Sequence, residues 1–236
     1  MDSQVSRRGG VALVAFAKDP SRVPVKTRLA CSIGADLATR VYSALLDDCL
    51  TSLRSLPSST TYLACYPDEK SPFFQELERS LGVQLIPQSG EDLGERMLSC
   101  ARSLLEKHSA VIIVGTDVPC LPVSSIETAV KQMKYWNVLL GPCSDGGYYA
   151  FGVNRVIESM LDGVAWGSES VFVETVKNCV ALGLEVAFLE VLDDIDDEQA
   201  LSKLCREFQR NSGETSATRR LLEKEGLLVG NRQGKR

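Results

Sequence analysis

Apolar and polar positions along this chain follow two periods in turn, one near two residues and one near four, and the switches between them outline an alternating order of strands and helices. Gly10 to Ala17 is apolar at almost every position, which predicts a short strand buried on both faces, as in parallel sheets covered by helices. A loop with Pro20 and Pro24 follows. From Gly34 to Leu56, the apolar positions Leu37, Val41, Leu45, Cys49 and Leu53 recur every fourth residue and form one stripe of a long amphipathic helix, which Pro57 ends. Thr60 to Tyr66 is β-branched and aromatic, a second strand, and Ser71-Pro72 supplies an N-cap and a first-turn proline for a helix through Leu81. Val83 to Ile86 is a third strand. Leu93, Met97, Ala101, Leu104 and Leu105 mark another helix, and Ala110 to Val114 a fourth, fully apolar strand.

The second half keeps the alternation with one irregularity. Ser124-Ser125-Ile126-Glu127 reads as a capping box opening a helix to about Tyr135, and Val138 to Leu140 and Tyr148 to Val153 are strands. So few residues separate that pair that they cannot be joined by a right-handed parallel crossover, which needs a dozen or more, so an antiparallel element is expected there. Helical segments at Arg155 to Leu161 and Ser168 to Leu182, a strand at Glu185 to Leu192 and a final helix from near Asp197 complete the pattern. The fold class expected is a three-layer α/β (αβα) architecture with a mostly parallel sheet. The organisation expected is a flexible N-terminus at 1–9, one domain at 10–210 and a basic C-terminal extension at 211–236, partly helical or frayed.

Composition narrows the function classes. The 236 residues are 44% hydrophobic and 24% charged, an ordinary globular balance. A net charge of −5 argues against broad capture of nucleic acid, which needs a basic face to displace counterions. The acidity is uneven: from Arg206 onward eight Lys/Arg stand against four Glu, a net of +4 that leaves −9 for the first 205 residues. The basic end reads as a solvated helix and frayed terminus. No apolar segment reaches the length that spans a bilayer. Arg7 and Arg8 ahead of the first apolar run, with Ala15-Phe16-Ala17 inside it, outline an export signal, but the run fits a first buried strand equally well. The eight cysteines are never closer than sixteen residues, unlike zinc ligand pairs, and read as small core residues, Cys65 and Cys179 among them, in a reducing, cytoplasmic setting. The one histidine, His108, ends a helical pattern and reads as a capping or solvent residue, which lowers the odds of a Ser-His-Asp or Cys-His mechanism.

In open α/β sheets ligands bind beyond the carboxyl ends of the strands, so the loops there carry the candidate chemistry. After the first strand, Lys18, Lys26 and Arg28 set three cations in an acidic chain, suited to a phosphorylated ligand, though no Walker loop is present. Gln88 and the stretch Asp92-Leu93-Gly94-Glu95-Arg96-Met97 combine a glycine with a helix start, where backbone N–H groups are available. Asp117, after the fourth strand in Gly115-Thr116-Asp117-Val118-Pro119, suits a hard cation such as Mg²⁺. Asp145 precedes the Gly146-Gly147 turn and Tyr148. Asp193-Asp194-Ile195-Asp196-Asp197-Glu198 carries more acids than one helix cap requires, and a divalent metal or a cationic partner would relieve their repulsion.

In register, these blocks resemble one family: Phe16-Ala17-Lys18-x-Pro20 with Val25-Lys26-Thr27-Arg28-Leu29, Gln88 with Asp92 to Met97, Gly115-Thr116-Asp117-x-Pro119-x-Leu121, Gly141-Pro142 with Asp145 to Tyr149, Trp166, and Asp194-Ile195-Asp196. The chain is similar, over about residues 11–204, to the selenodomain/radical-SAM-associated transferase 1 family, a glycosyltransferase-like family related to phospholactate guanylyltransferase. That resemblance implies the GT-A, or nucleotide-diphospho-sugar transferase, fold. It implies Lys18, Lys26, Arg28, Gln88, Gly94 and Arg96 on the nucleotide and its phosphates, and Asp117 and Asp194 as carboxylates for Mg²⁺ or Mn²⁺. Asp196 is then either the cap of the last helix or a further metal ligand. Asp145, with Asp117 a catalytic carboxylate, would face the acceptor as base or orienting group beside Gly146, Gly147, Tyr148 and Trp166. Two departures from the family pattern stand out, Pro24 where a glycine is usual and Ala200 where an acid is usual.

The reading that follows is a metal-dependent transferase joining a nucleotide sugar, or a nucleoside triphosphate, to a small-molecule acceptor, with no nucleic acid or membrane partner. The glycosyltransferase-like form is favoured over the nucleotidyltransferase form because the full motif set resembles that family more than characterised guanylyltransferases, whose Gly-Gly-x-Ser-x-Arg loop is absent. A non-catalytic nucleotide-binding protein is the third reading, which need not keep Asp117 and Asp194 together.

Overall fold

The computed structural model describes residues 9–211 and 215–228. Its centre is β1 (Gly9–Lys18), whose successive side chains divide between two cores. Val11, Leu13, Ala15 and Ala17 pack on one face of the sheet, Ala12 and Val14 on the other. Burial on both faces is why the strand is apolar throughout rather than alternating. It lies between two parallel neighbours, β2 (Thr60–Tyr66) and β4 (His108–Gly115). With β3 (Gln84–Pro87), β5 (Val138–Pro142), β6 (Tyr148–Val153) and β7 (Val186–Phe188), the sheet has seven strands in the order β3-β2-β1-β4-β6-β5-β7. Only β6 runs against its neighbours, pairing antiparallel with both β4 and β5. The expected three-layer, mostly parallel sheet with an antiparallel element is the observed fold.

On one face lie α2 (Ala35–Arg54), α3 (Pro72–Leu81) and α5 (Val123–Gln132), and on the other α4 (Leu93–Leu105) and α6 (Val171–Ala181). A third core joins the outer stripe of α2, through Ala38, Val41 and Leu45, to α1 (Thr27–Ile33), α7 (Glu198–Arg210) and α8 (Ala217–Lys224). Asp48 on α2 accepts the backbone N–H groups of Ala217 and Thr218 at 2.6 and 2.9 Å, and Leu222 is fully buried. Part of the basic C-terminal segment is therefore docked on α2; its remaining residues, like residues 1–8, fall outside the described ones. No helix among the described residues is long and apolar enough to cross a membrane.

Several local expectations change. The segment at 155–161 is a single 3₁₀ turn, Glu158–Leu161. The strand expected over 185–192 ends at Phe188; beyond it the chain stays beside β5 through Leu189 N–H to Leu140 O at 2.9 Å, Leu192 N–H to Pro142 O at 3.1 Å and an isolated bridge between Cys143 and Leu192. The capping box at Ser124 does not form: Pro122 is the N-cap, without a side-chain bond, and Ser125 Oγ donates to Glu190 instead. His108 is neither cap nor solvent residue. It opens β4, buried, with Nδ1 3.1 Å from Gly10 O and Nε2 2.9 Å from the Tyr62 hydroxyl. Since a carbonyl only accepts, Nδ1 carries the proton and the tyrosine donates to Nε2. None of the cysteines is in a disulfide; Cys65 and Cys179 are core residues, whereas Cys31 is exposed on α1.

Candidate functional site

The strands β1, β2, β3, β4, β5 and β7 run in one direction and end at the same edge of the sheet, and the loops beyond them enclose two clefts. The first, of ≈ 480 Å³, is lined by Phe16, Lys18, Lys26, Gln88, Arg96, Asp117 and Tyr148 among others. The second, of ≈ 360 Å³, is lined by Ser144, Asp145, Asp194, Lys203 and Arg206 among others. Arg28 and Asp196 line both, so this pair forms the partition between them.

The partition is an ion network. Lys26 is the N-cap residue of α1, in the left-handed region at φ 48°, with its side chain only 2% exposed. Its ammonium pairs with Asp117 and, at 2.9 Å, with Asp196. Asp196 also accepts from Arg28 at 2.7 Å. Burial alone would lower the Lys26 pKa, but the charges of Asp117 and Asp196 outweigh it and hold the ammonium protonated. For Asp196, burial pulls upward and is outweighed by Lys26 and then Arg28, which keep it ionised. Ile195 N–H donates to Asp117 O at 2.9 Å, which fastens the loop after β4 to the acidic loop before α7.

That acidic loop divides its carboxylates by task. Asp197, not Asp196, caps α7, accepting from Ala200 N–H at 2.8 Å; the cap reading of Asp196 is therefore corrected, because its oxygens are taken by Lys26 and Arg28. Asp193 pairs with Lys203 and accepts from Ser144 Oγ at 2.6 Å. Asp194 is pushed up to about 6, by burial first and then by the charges of Asp196 and Asp145.

Asp145 is exposed, and its Oδ1 accepts from Gly147 N–H at 2.8 Å, closing its own turn. Gly146 has φ 89°, and a Cβ there would sit 2.1 Å from Glu169 O, so the turn fits only glycine. Phe172 N–H donates to Gly146 O at 2.9 Å and ties the turn to the start of α6. In the first cleft, Gln88 donates from Nε2 to Ala17 O and Ala64 O at 3.1 and 2.8 Å, bridging the ends of β1 and β2. Two carbonyl partners fix the amide's orientation and leave Oε1 as its acceptor. Arg96 stacks 4.1 Å over the Tyr66 ring and donates to Gly90 O and Glu91 O, so it holds the loop before α4. Gly94 makes room for Trp166, whose Cζ2 would lie 2.7 Å from an added Cβ; Trp166 in turn meets Tyr148 edge to face at 6.4 Å.

Sequence reasoning missed Tyr42 and Lys203, the latter being the cationic partner of Asp193 in the acidic stretch. The Tyr42 hydroxyl accepts from Lys18 N–H at 2.7 Å and donates to Lys18 O at 2.9 Å, setting the mouth of the first cleft. Its only signal is a tyrosine next to Val41 at the edge of the apolar stripe of α2. Among the described residues no group of three or more His, Cys, Asp or Glu is arranged to hold a metal ion. The donor chemistry nevertheless suits a hard divalent cation: Asp117 and Asp196 converge on one cation, and Asp194 and Asp145 add negative charge beside them. The point of convergence is occupied by Lys26.

Residues 49–168 match the family model DUF2064, described as an uncharacterized protein conserved in bacteria. A provisionally named nucleotide-diphospho-sugar transferase from Desulfovibrio desulfuricans G20 is similar over 93% of this chain and 96% of its own, with a TM-score of 0.83 and 28% identity. The inositol-1-phosphate CTP transferase from T. maritima aligns over 92% of this chain and 98% of its own, with a TM-score of 0.59 and 12% identity. Glucosyl-3-phosphoglycerate synthase from Mycobacterium tuberculosis, in complex with Mn²⁺, uridine-diphosphate and glucosyl-3-phosphoglycerate, aligns over 89% of this chain and 82% of its own, with a TM-score of 0.51 and 8% identity. The last two show a shared fold of the GT-A type. No curated protein matches the chain.

Proposed function

Since the chain belongs to DUF2064, a family of uncharacterized bacterial proteins, and has a GT-A fold, we propose that it is a transferase acting on a nucleotide-activated donor, most closely a nucleotide-diphospho sugar. The observation that carries this reading is the pair of clefts at the carboxyl ends of the strands, separated by the Lys26-Asp196-Arg28 network. A donor in the first cleft and an acceptor in the second would meet at a wall of fixed charge. The full-length similarity to the D. desulfuricans protein supports the sugar form over the nucleotidyl form.

In this reading Gln88 Oε1 receives a hydrogen bond from the nucleobase, and Lys18, Arg28 and Lys26 take the phosphates. Arg96 and Gly94 act indirectly, holding the loop and the Trp166 packing that shape the cleft. Asp117, Asp194 and Asp196 would hold Mg²⁺ or Mn²⁺, which when bound neutralises charge growing on the departing diphosphate. Asp145 has Oδ1 committed to its own turn, so Oδ2 would accept the proton of an acceptor hydroxyl in the second cleft. The test is product identity. Panels of nucleotide sugars and of nucleoside triphosphates are incubated with Mg²⁺ and a pool of small hydroxylated and phosphorylated acceptors. Nucleoside diphosphate released from a sugar nucleotide supports the reading. Pyrophosphate released from a triphosphate alone replaces it with nucleotidyl transfer, and neither product points to a binding protein.

A further inference from the structure

Lys26 sits where two functions compete. Its ammonium joins Asp117 and Asp196, the carboxylates assigned above to the metal, while the same residue lines the first cleft, where the donor's phosphates are placed. A divalent ion coordinated by carboxylate oxygens at about 2.0–2.1 Å cannot share that point with an ammonium, because the two cations repel and overlap. The backbone adds a second sign. Lysine rarely takes φ 48°, ψ 43°, and here it does so at the start of α1 with no side-chain cap. The strained conformation accompanies a side chain drawn inward onto two carboxylates. Charge balance is the third: Lys26 and Arg28 pair with Asp117 and Asp196, while Asp145 and Asp194 add negative charge beside them, an arrangement that a divalent ion would neutralise once the ammonium withdrew.

Resting on the transferase reading, we propose that Lys26 is an exchangeable counter-ion: it holds Asp117 and Asp196 together until a metal–nucleotide enters, then passes to the donor's phosphates and releases both carboxylates to the metal. The exchange couples metal and nucleotide binding, so that the metal binds weakly by itself and the carboxylates are not left facing one another.

The test is calorimetric titration of MnCl₂ into the full-length native chain, Lys26→Met, Lys26→Gln and Lys26→Arg, each first shown to be folded by circular dichroism. The native chain and Lys26→Arg are expected to bind Mn²⁺ weakly, and Lys26→Met and Lys26→Gln at least ten-fold more tightly. UDP, GDP, CDP and ADP are then titrated with Mn²⁺ present, and the one that binds the native chain is expected to bind both neutral variants more weakly. Mn²⁺ affinity in folded Lys26→Met and Lys26→Gln equal to or below native overturns the exchange. Loss of the fold in both also overturns it, since a residue that leaves its partners in every turnover cannot be indispensable to the fold. A native chain that binds none of the four diphosphates overturns the transferase reading, whereas binding one of them with no gain in Mn²⁺ affinity overturns the exchange alone.

Discussion

The Lys26 ammonium donates to Asp196 at 2.9 Å, across 170 residues of sequence, and this contact joins the loop after the first strand to the loop before the penultimate helix. Removing its two ends has unequal consequences. Asp196→Ala leaves a side chain that is 2% exposed with Asp117 alone, whereas Lys26→Met leaves two carboxylates that both reach water. Urea unfolding is expected to show Asp196→Ala destabilised by about 2 kcal/mol and Lys26→Met by less, because a buried charge left short of a partner costs more than the lost attraction. The reverse order would show that the pair is held by Coulomb attraction and not by the need to match a buried charge.

Asp194 gives the pH dependence. Burial, with Asp196 and Asp145 beside it, raises its folded-state pKa to about 6 from an ordinary 3.8. The folded chain therefore binds this proton more tightly than the unfolded chain, so the stabilisation is complete below about 4 and is lost as pH rises through about 6. Because Asp194 is only half-buried, solvent screening keeps its contribution below the about 3 kcal/mol that the full shift would represent. Thermal melts from pH 4 to 7 without divalent metal should show this loss in the native chain, superimposed on other titrations, and Asp194→Asn should flatten it. An Asp194→Asn profile parallel to the native one across that window would contradict the assignment.

Gly94 and Trp166 test how the first cleft is shaped. A methyl at position 94 would lie 2.7 Å from the indole, a rigid neighbour, so Gly94→Ala is expected to cost about 1–3 kcal/mol by chemical denaturation. Trp166 fluorescence should shift with it. Stability and emission both unchanged would show that the ring moves freely at that contact.

Gly146 is more constrained. Its φ of 89° disfavours any side chain, and a Cβ would meet Glu169 O at 2.1 Å. Gly146→Ala is expected to lose about 2–4 kcal/mol by denaturation. Because the Asp145 turn and the start of α6 share this glycine, hydrogen exchange of Gly147 and Phe172 N–H should speed up in the same variant.

Much of this architecture was legible because buried parallel strands and amphipathic helices leave strong periodic traces, as at Gly10 to Ala17 and along Leu37 to Leu53. The antiparallel β5–β6 pair was legible from its short connection. Helix α1 was not: it follows Pro24 in a polar loop, has only Leu29 buried, and is stabilised by tertiary packing on α2 and α7. His108 was misread because the helical stripe of α4 runs almost up to it, while its partners, Tyr62 and Gly10, come from other strands. The acidic loop shows the same limit at single-residue scale. Asp196 and Asp197 are chemically identical neighbours, and the distant Lys26 and Arg28 take the first while the second caps α7. The loops holding the candidate residues were found from residue type at strand ends, but their internal pairings depend on contacts that no local pattern encodes.

The first cleft is proposed to take the phosphates of a nucleotide donor. Calorimetric titration of the native chain with UDP-, GDP-, CDP- and ADP-sugars and the four nucleoside triphosphates, in Mg²⁺, tests it most directly. At least one is expected to bind with a Kd below about 100 μM, and the double variant Lys18→Ala/Arg28→Ala to weaken that binding at least ten-fold while remaining folded. Absence of binding across the whole panel, or binding unchanged in the folded double variant, would contradict it.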